Sequence, residues 1–163
     1  MKVAYIFRND MSSTFQLSSM ILPQLEQGNH GVEVVGMMFF DDNVYSLSSE
    51  NEIGKRLSGL AKKENILLMI CDQCALRKGM ASGEFSQCGS GDVKAINTVD
   101  GVVAGCFPQL YSALAGNMPD QGIGSGKAIA LLGILGEYPV MKWSKIAHLH
   151  RAISSTHPYC QIL

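Results

Sequence analysis

Residues 66–79, ILLMICDQCALRKG, carry the reading on which the fold turns. Ile66 to Ile70 are apolar without alternation, the pattern of a strand covered on both faces rather than one half open to water. Cys71 follows at once, then Asp72, Gln73 and Cys74, and the helix-compatible Ala75, Leu76, Arg77 and Lys78 run to Gly79, a residue suited to ending a helix. A C-x-x-C pair therefore falls where a buried strand turns into a helix.

Similar units lie on either side. Residues 2–7 form a short apolar run, and after the polar stretch 9–14 Phe15, Leu17, Met20, Ile21, Leu22 and Leu25 are spaced mostly as one helical face. Beyond Gly28, Asn29 and Gly31, residues 32–40 read as a second buried parallel strand, ended by Asp41, Asp42 and Asn43. A loop carries Tyr45, and Ile53, Leu57, Leu60 and Ala61 recur at helical spacing. Residues 80–92, rich in Gly and Ser, read as a loop, 93–96 and 101–105 as strands, and 108–114 as a helix. Strands alternating with helices predict an α/β fold in three layers, a mostly parallel sheet with helices on both faces and right-handed crossovers. Such sheets bind ligands beyond the carboxyl ends of their strands, where Cys71 falls. Past Met118 the pattern is less regular: Gly122, Gly124 and Gly126 read as a flexible connector, 128–135 suits either a strand or a helix, 141–153 has helical spacing, and 154–163 reads as a tail.

The 163 residues suit one domain, and 47% hydrophobic against 17% charged residues is a composition that folds around a core. A net charge of −1 without a Lys/Arg-rich block argues against nucleic acid or anionic lipid as a partner. No apolar stretch approaches the ~20 residues needed to span a bilayer. The apolar run of the N-terminus is cut short by Arg8, Asn9 and Asp10, unlike a secretory signal, so a cytoplasmic location is expected. Five cysteines, an odd number, do not suit a full disulfide framework.

Cysteine chemistry follows from position. A thiol reacts as its thiolate, and Cys71 at a helix N-terminus is favoured by free N–H groups and the helix dipole. Arg77 and Lys78 lie in the same short helix, Lys78 on the face of Cys74, while Asp72 opposes them. A lone cysteine at this point is often only a buried strand residue; Cys74, three positions on, shifts the reading towards thiol chemistry. Cys88, Cys106 and Cys160 are isolated in sequence and read as ordinary thiols, although Cys88 sits in the loop after the pair and Cys106 follows a strand at the same sheet edge. With only one C-x-x-C a four-ligand zinc site is not complete in sequence, His148 and His150 point apart on a helix, and Cys71, Cys74 and Cys88 make only a minor metal hypothesis. GIGSGKA, residues 122–128, lacks the spacing and the Ser/Thr of a phosphate loop. Neither a cofactor nor a metal is expected.

Residues 67–79 resemble the active-site segment of the DsrE/DsrF and TusD sulfur-relay family, a strand ending in cysteine before an A-L-R-R-G type helix. FFDDNVYSLSS, residues 39–49, is similar to the family's F-F-x-x-x-G-V-Y-x-A loop, and GVVAGCFPQLYSAL, residues 101–114, to its strand-Gly-helix element. ICDQCALR and GCFPQLY further resemble the DsrE-related proteins called SaoD. The resemblance covers residues 1–118 of a single DsrE-like domain, and 119–163 are an atypical extension. It implies a flavodoxin-like arrangement, a persulfide sulfur carried on Cys71, donor and acceptor protein partners, and a homo-oligomer of three or six chains. Arg77 or the helix N-terminus would stabilise the thiolate. TusD lacks a cysteine at the position of Cys74, and Asn43 stands where the family loop often has glycine. Cys74 would either modulate the relay, attack a Cys71 persulfide to release sulfide and leave a disulfide, or help hold a metal. The rival expectation is a thiol-disulfide redox protein or sensor using Cys71 and Cys74; a third is a binding module with unreactive cysteines.

Overall fold

A computed structural model describes residues 2–9, 11–89 and 91–114, and the backbone of 129–133. Five parallel strands form the main sheet: β1 (Lys2–Phe7), β2 (Glu33–Phe39), β3 (Leu67–Cys71), β6 (Val102–Gly105) and β7 (Ile129–Gly133), in the order β6-β3-β2-β1-β7. This is the α/β architecture expected from the alternating pattern. The undecided stretch 128–135 holds a strand that adds to the outer side of β1. Residues 93–96, expected as a strand, hold β5 (Lys94–Ala95), which pairs antiparallel with β4 (Ala81–Ser82) in a two-stranded ladder separate from the main sheet. The expected helix over 141–153, the tail, GIGSGKA, His148, His150 and Cys160 lie outside the described residues.

Two apolar cores, one on each side, explain why the central strands lack alternation. On the first face Phe7, Met37, Phe39, Leu68 and Ile70 pack against Leu17, Ile21 and Leu22, and against Leu57, Leu60 and Ala61 of α2 (Glu52–Glu64). On the second, Val35, Met38, Leu67, Met69 and Cys71 meet Leu110 and Leu114 of α4 (Phe107–Leu114). Burying each such Leu or Phe contributes about 1.5–3 kcal/mol, so both sheet faces carry stability. The pairing steps from Val3–Val34 to Ala4–Gly36, and this extra residue in β2 leaves Val34 and Met37 in the first core and Val35 and Met38 in the second.

The helical run predicted around Phe15 to Leu25 is wound wider than an α-helix. Ser12–Ile21 is a ten-residue π-helix that continues into α1 (Leu22–Glu26), and at its start Gln16 N–H reaches back five residues to Met11 O at 3.3 Å. Helix α2 is capped by Asn51, whose side-chain oxygen accepts from Ile53 N–H at 2.9 Å, and ends at Asn65 in the left-handed region, φ 57°.

The chain leaves the two strands beside the thiols in opposite directions. From β3 it enters α3 (Asp72–Arg77), whose Ala75 packs into the first core; from β6 it enters α4, which packs on the second. Cys71 pairs with Gly105 across these strands. Adjacent strand ends that diverge to opposite faces leave a crevice between them, the place where open α/β sheets bind ligands.

Candidate functional site

Three segments converge at this crevice. Cys71 closes β3 with its side chain in the second core and is buried, while Cys74, one turn into α3, is half-buried between the two cores. The third segment is the 3-10 turn Asp41–Leu47, which follows β2. Asp41 adopts φ 49°, a left-handed conformation that Asp tolerates better than most residues, and its backbone N–H donates to Cys74 Sγ at 3.3 Å.

That turn is fastened from below by buried polar groups. Asn43 Oδ1 accepts from Ser13 N–H at 3.0 Å and from Ser13 Oγ at 2.8 Å, and its Nδ2 donates to Asn9 O at 3.0 Å. Ser46 Oγ in turn donates to Ser13 Oγ at 2.6 Å. Each of these bonds would be costly to leave unmade in the interior, so the network fixes where Asp41 stands. Gly54 in α2 abuts the same turn: a Cβ there would lie 2.6 Å from Ser46 O.

The two thiols share a proton unequally. The hydrogen bond with Cys74 and then burial raise Cys71, which stays protonated and donates its S–H. Cys74 is lowered to about 7, first by that S–H, then, against the cost of its own burial, by the Asp41 N–H, with the Asp41 carboxylate opposing and the Arg77 guanidinium adding a smaller lowering. The thiolate favoured by position in sequence is thus Cys71, whereas the geometry favours Cys74. The helix that follows Cys71 has only six residues, and although the Cys74 backbone N–H lowers the Cys71 thiol, the Cys74 side chain and burial outweigh it and raise it.

The flanking cations divide. Arg77 acts on Cys74 and lies over the Phe85 ring, 5.5 Å from its centre. Lys78 is engaged elsewhere: it pairs with Asp42, approaches Asp41 at 3.9 Å and lies over Tyr45 at 5.2 Å. So the structure brings Cys71, Cys74 and Arg77 together and turns Lys78 towards the acidic turn.

Residues 80–92 are also better anchored than their composition suggests. Met80 and Ala81 are buried, and Asp72, itself buried, accepts from Gly89 N–H at 2.7 Å and from Gln73 N–H at 2.6 Å. This brings Cys88 to Cys106 and Asp72, not to Cys71 and Cys74 as the minor metal hypothesis has it. None of the four described cysteines is in a disulfide. Sequence reasoning missed the Asp41 N–H and the Ser13–Asn43–Ser46 network, although Asp-Asp-Asn after a strand signals a backbone able to turn left-handed.

Fold and site together define a parallel α/β protein with a paired-thiol centre at a strand crevice. The chain has no significant match among family models or among curated proteins.

Proposed function

We propose that this protein is a sulfur carrier that accepts a sulfane sulfur at the Cys71/Cys74 pair, holds it as a persulfide on Cys71 and passes it to a partner thiol. The observation that carries the reading is the placement of two thiols at one strand end, Cys71 buried and Cys74 half-buried with the Asp41 N–H on its sulfur at 3.3 Å. Entry and storage need different surroundings. Cys74 thiolate attacks the outer sulfur of a donor persulfide, R–S–SH; the S–S bond breaks, the thiolate R–S⁻ leaves and Cys74–S–SH forms. Cys71 gives its proton to the departing Cys74 sulfur as the Cys74 S–S bond breaks, takes the same outer sulfur and becomes Cys71–S–SH, leaving Cys74 as a thiol that ionises again to solvent. At 2% exposure Cys71 keeps that sulfur from water, and release to a partner thiol runs by the reverse transfer to the more exposed Cys74. Gln73, between the cysteines, has a buried amide nitrogen with no acceptor among the described residues, and an anionic persulfide is the kind of acceptor it lacks. The resemblance of residues 39–49, 67–79 and 101–114 to the sulfur-relay family supports the same reading, and with it protein donors and acceptors and a homo-oligomer.

A second reading is favoured by the placement of Cys74 against the core that holds Cys71: attack of Cys71 on the inner sulfur of Cys74–S–SH expels sulfide and closes a disulfide, the chemistry of a redox pair. Intact mass and peptide mapping after exposure to a persulfide donor separate the two, run beside Cys71→Ala and Cys74→Ala. Sulfur mapped to Cys71, absent in Cys71→Ala and slow to load in Cys74→Ala, is the expected result. A Cys71–Cys74 disulfide with released sulfide and no retained sulfur would replace carriage by redox exchange.

A further inference from the structure

The carboxylate of Asp72 and the thiols of Cys88 and Cys106 offer ligand atoms that all lie within 4.8 Å of one another. They come from three segments far apart in sequence: the first residue of α3, the loop between β4 and β5, and the turn from β6 into α4. Asp72 is 2% exposed and Cys106 1%, so this is no chance meeting of surface acids. Two thiols and a carboxylate are donors that suit zinc. A tetrahedral zinc with bonds of about 2.3 Å to sulfur and 2.0–2.2 Å to oxygen holds its ligand atoms roughly 3.5–3.8 Å apart. Closing the cluster onto an ion thus takes shifts of about 1 Å or less.

A clamp behind the cluster holds it together. Gln109 Oε1 accepts from Cys106 N–H at 3.0 Å, its Nε2 donates to Gly89 O, and Gly89 N–H donates to Asp72 Oδ2. Gly89 has φ +75°, and a Cβ there would stand 2.6 Å from Gln109 Oε1, so the clamp needs glycine. Backbone beside Cys88 and Cys106 is pinned in this way, as outer-shell bonds pin the ligands of metal sites.

We propose that Asp72, Cys88 and Cys106 form a zinc site with three protein ligands and a fourth position for water or an external thiol. On binding, each thiol exchanges its S–H bond for an S–Zn bond and both protons go to solvent, without a change of oxidation state. The site does not rest on the sulfur reading, since zinc binding is measured with no sulfur donor present.

The test is a zinc titration of the full chain, stripped of metal, against a chromophoric chelator, with Co²⁺ as a spectroscopic stand-in. One zinc per chain and a thiolate-to-cobalt charge-transfer band are expected. Outer-shell losses weaken metal sites by about 10–100-fold, so Gln109→Ala should fall in that range and Cys88→Ser or Cys106→Ser beyond it. Cys71→Ala and Cys74→Ala should stay within about threefold of the parent, well short of that outer-shell loss. Circular dichroism of Cys88→Ser, a loop substitution, separates loss of a ligand from loss of fold. A missing charge-transfer band, or zinc retained in folded Cys88→Ser and lost in Cys71→Ala or Cys74→Ala, would overturn the proposal.

Discussion

Cys71→Ala should change the alkylation rate of Cys74 in opposite directions on the two sides of pH 8. In the parent the S–H of Cys71 is the largest influence bringing Cys74 from an ordinary 9.0 to about 7. At pH 7 about half of a thiol of pKa 7 is thiolate, against about 1% at pKa 9, roughly a 50-fold advantage. Nucleophilicity falls with pKa, with a Brønsted slope of about 0.4–0.5, which returns about 8-fold over two units. The net expectation at pH 7 is alkylation about 6-fold slower in the variant if the full shift is lost, and less where Asp41 and Arg77 keep part of it. Above pH 9 both thiols are ionised and the more basic one is the better nucleophile, so the variant becomes faster by up to about 8-fold. The assay is iodoacetamide labelling with peptide mapping of Cys74, in chelator, from pH 5.5 to 10. Parallel profiles without a crossing would refute the assignment of Cys74 as the thiolate held by Cys71.

Arg77→Ala should raise the midpoint of the same profile by less than Cys71→Ala does, whereas Lys78→Ala, whose charge is taken by Asp42, should leave it in place; Lys78→Ala should also leave the urea unfolding midpoint nearly unchanged, because Asp42 is largely exposed and water screens the pair. Asn43→Ala should cost about 2–4 kcal/mol in the same measurement, since it strips partners from Ser13 N–H and Ser13 Oγ at once, and should slow Cys74 alkylation as the Asp41 turn loosens. Gly54→Ala should destabilise by about 1–3 kcal/mol, because its Cβ meets Ser46 O at 2.6 Å and backbone must move.

The order of strands and helices through residue 114 was legible because a strand buried on both faces must be apolar at every position, as at 66–70 and 34–40, while a helix against one face shows its stripe, as at Ile53, Leu57, Leu60 and Ala61. The extra residue in β2 was not legible: Val34, Val35, Met37 and Met38 are equally apolar, and only pairing with β1 sends them to different cores. Nor was the detached ladder of 93–96, since a two-residue pairing leaves almost no period to read.

For the site, the sequence by itself determined that two thiols stand three residues apart at a strand-to-helix turn with Arg77 nearby, because the spacing belongs to one continuous segment. Only the tertiary structure decided which thiol is lowered. That depends on the Asp41 N–H, which arrives from another strand end, and on burial, which is greater for Cys71 than for Cys74. The same holds for Asp72, Cys88 and Cys106, brought together by the Gln109 and Gly89 bonds. Electrostatics and ligation act through a few ångströms of space, and sequence separation does not measure that distance.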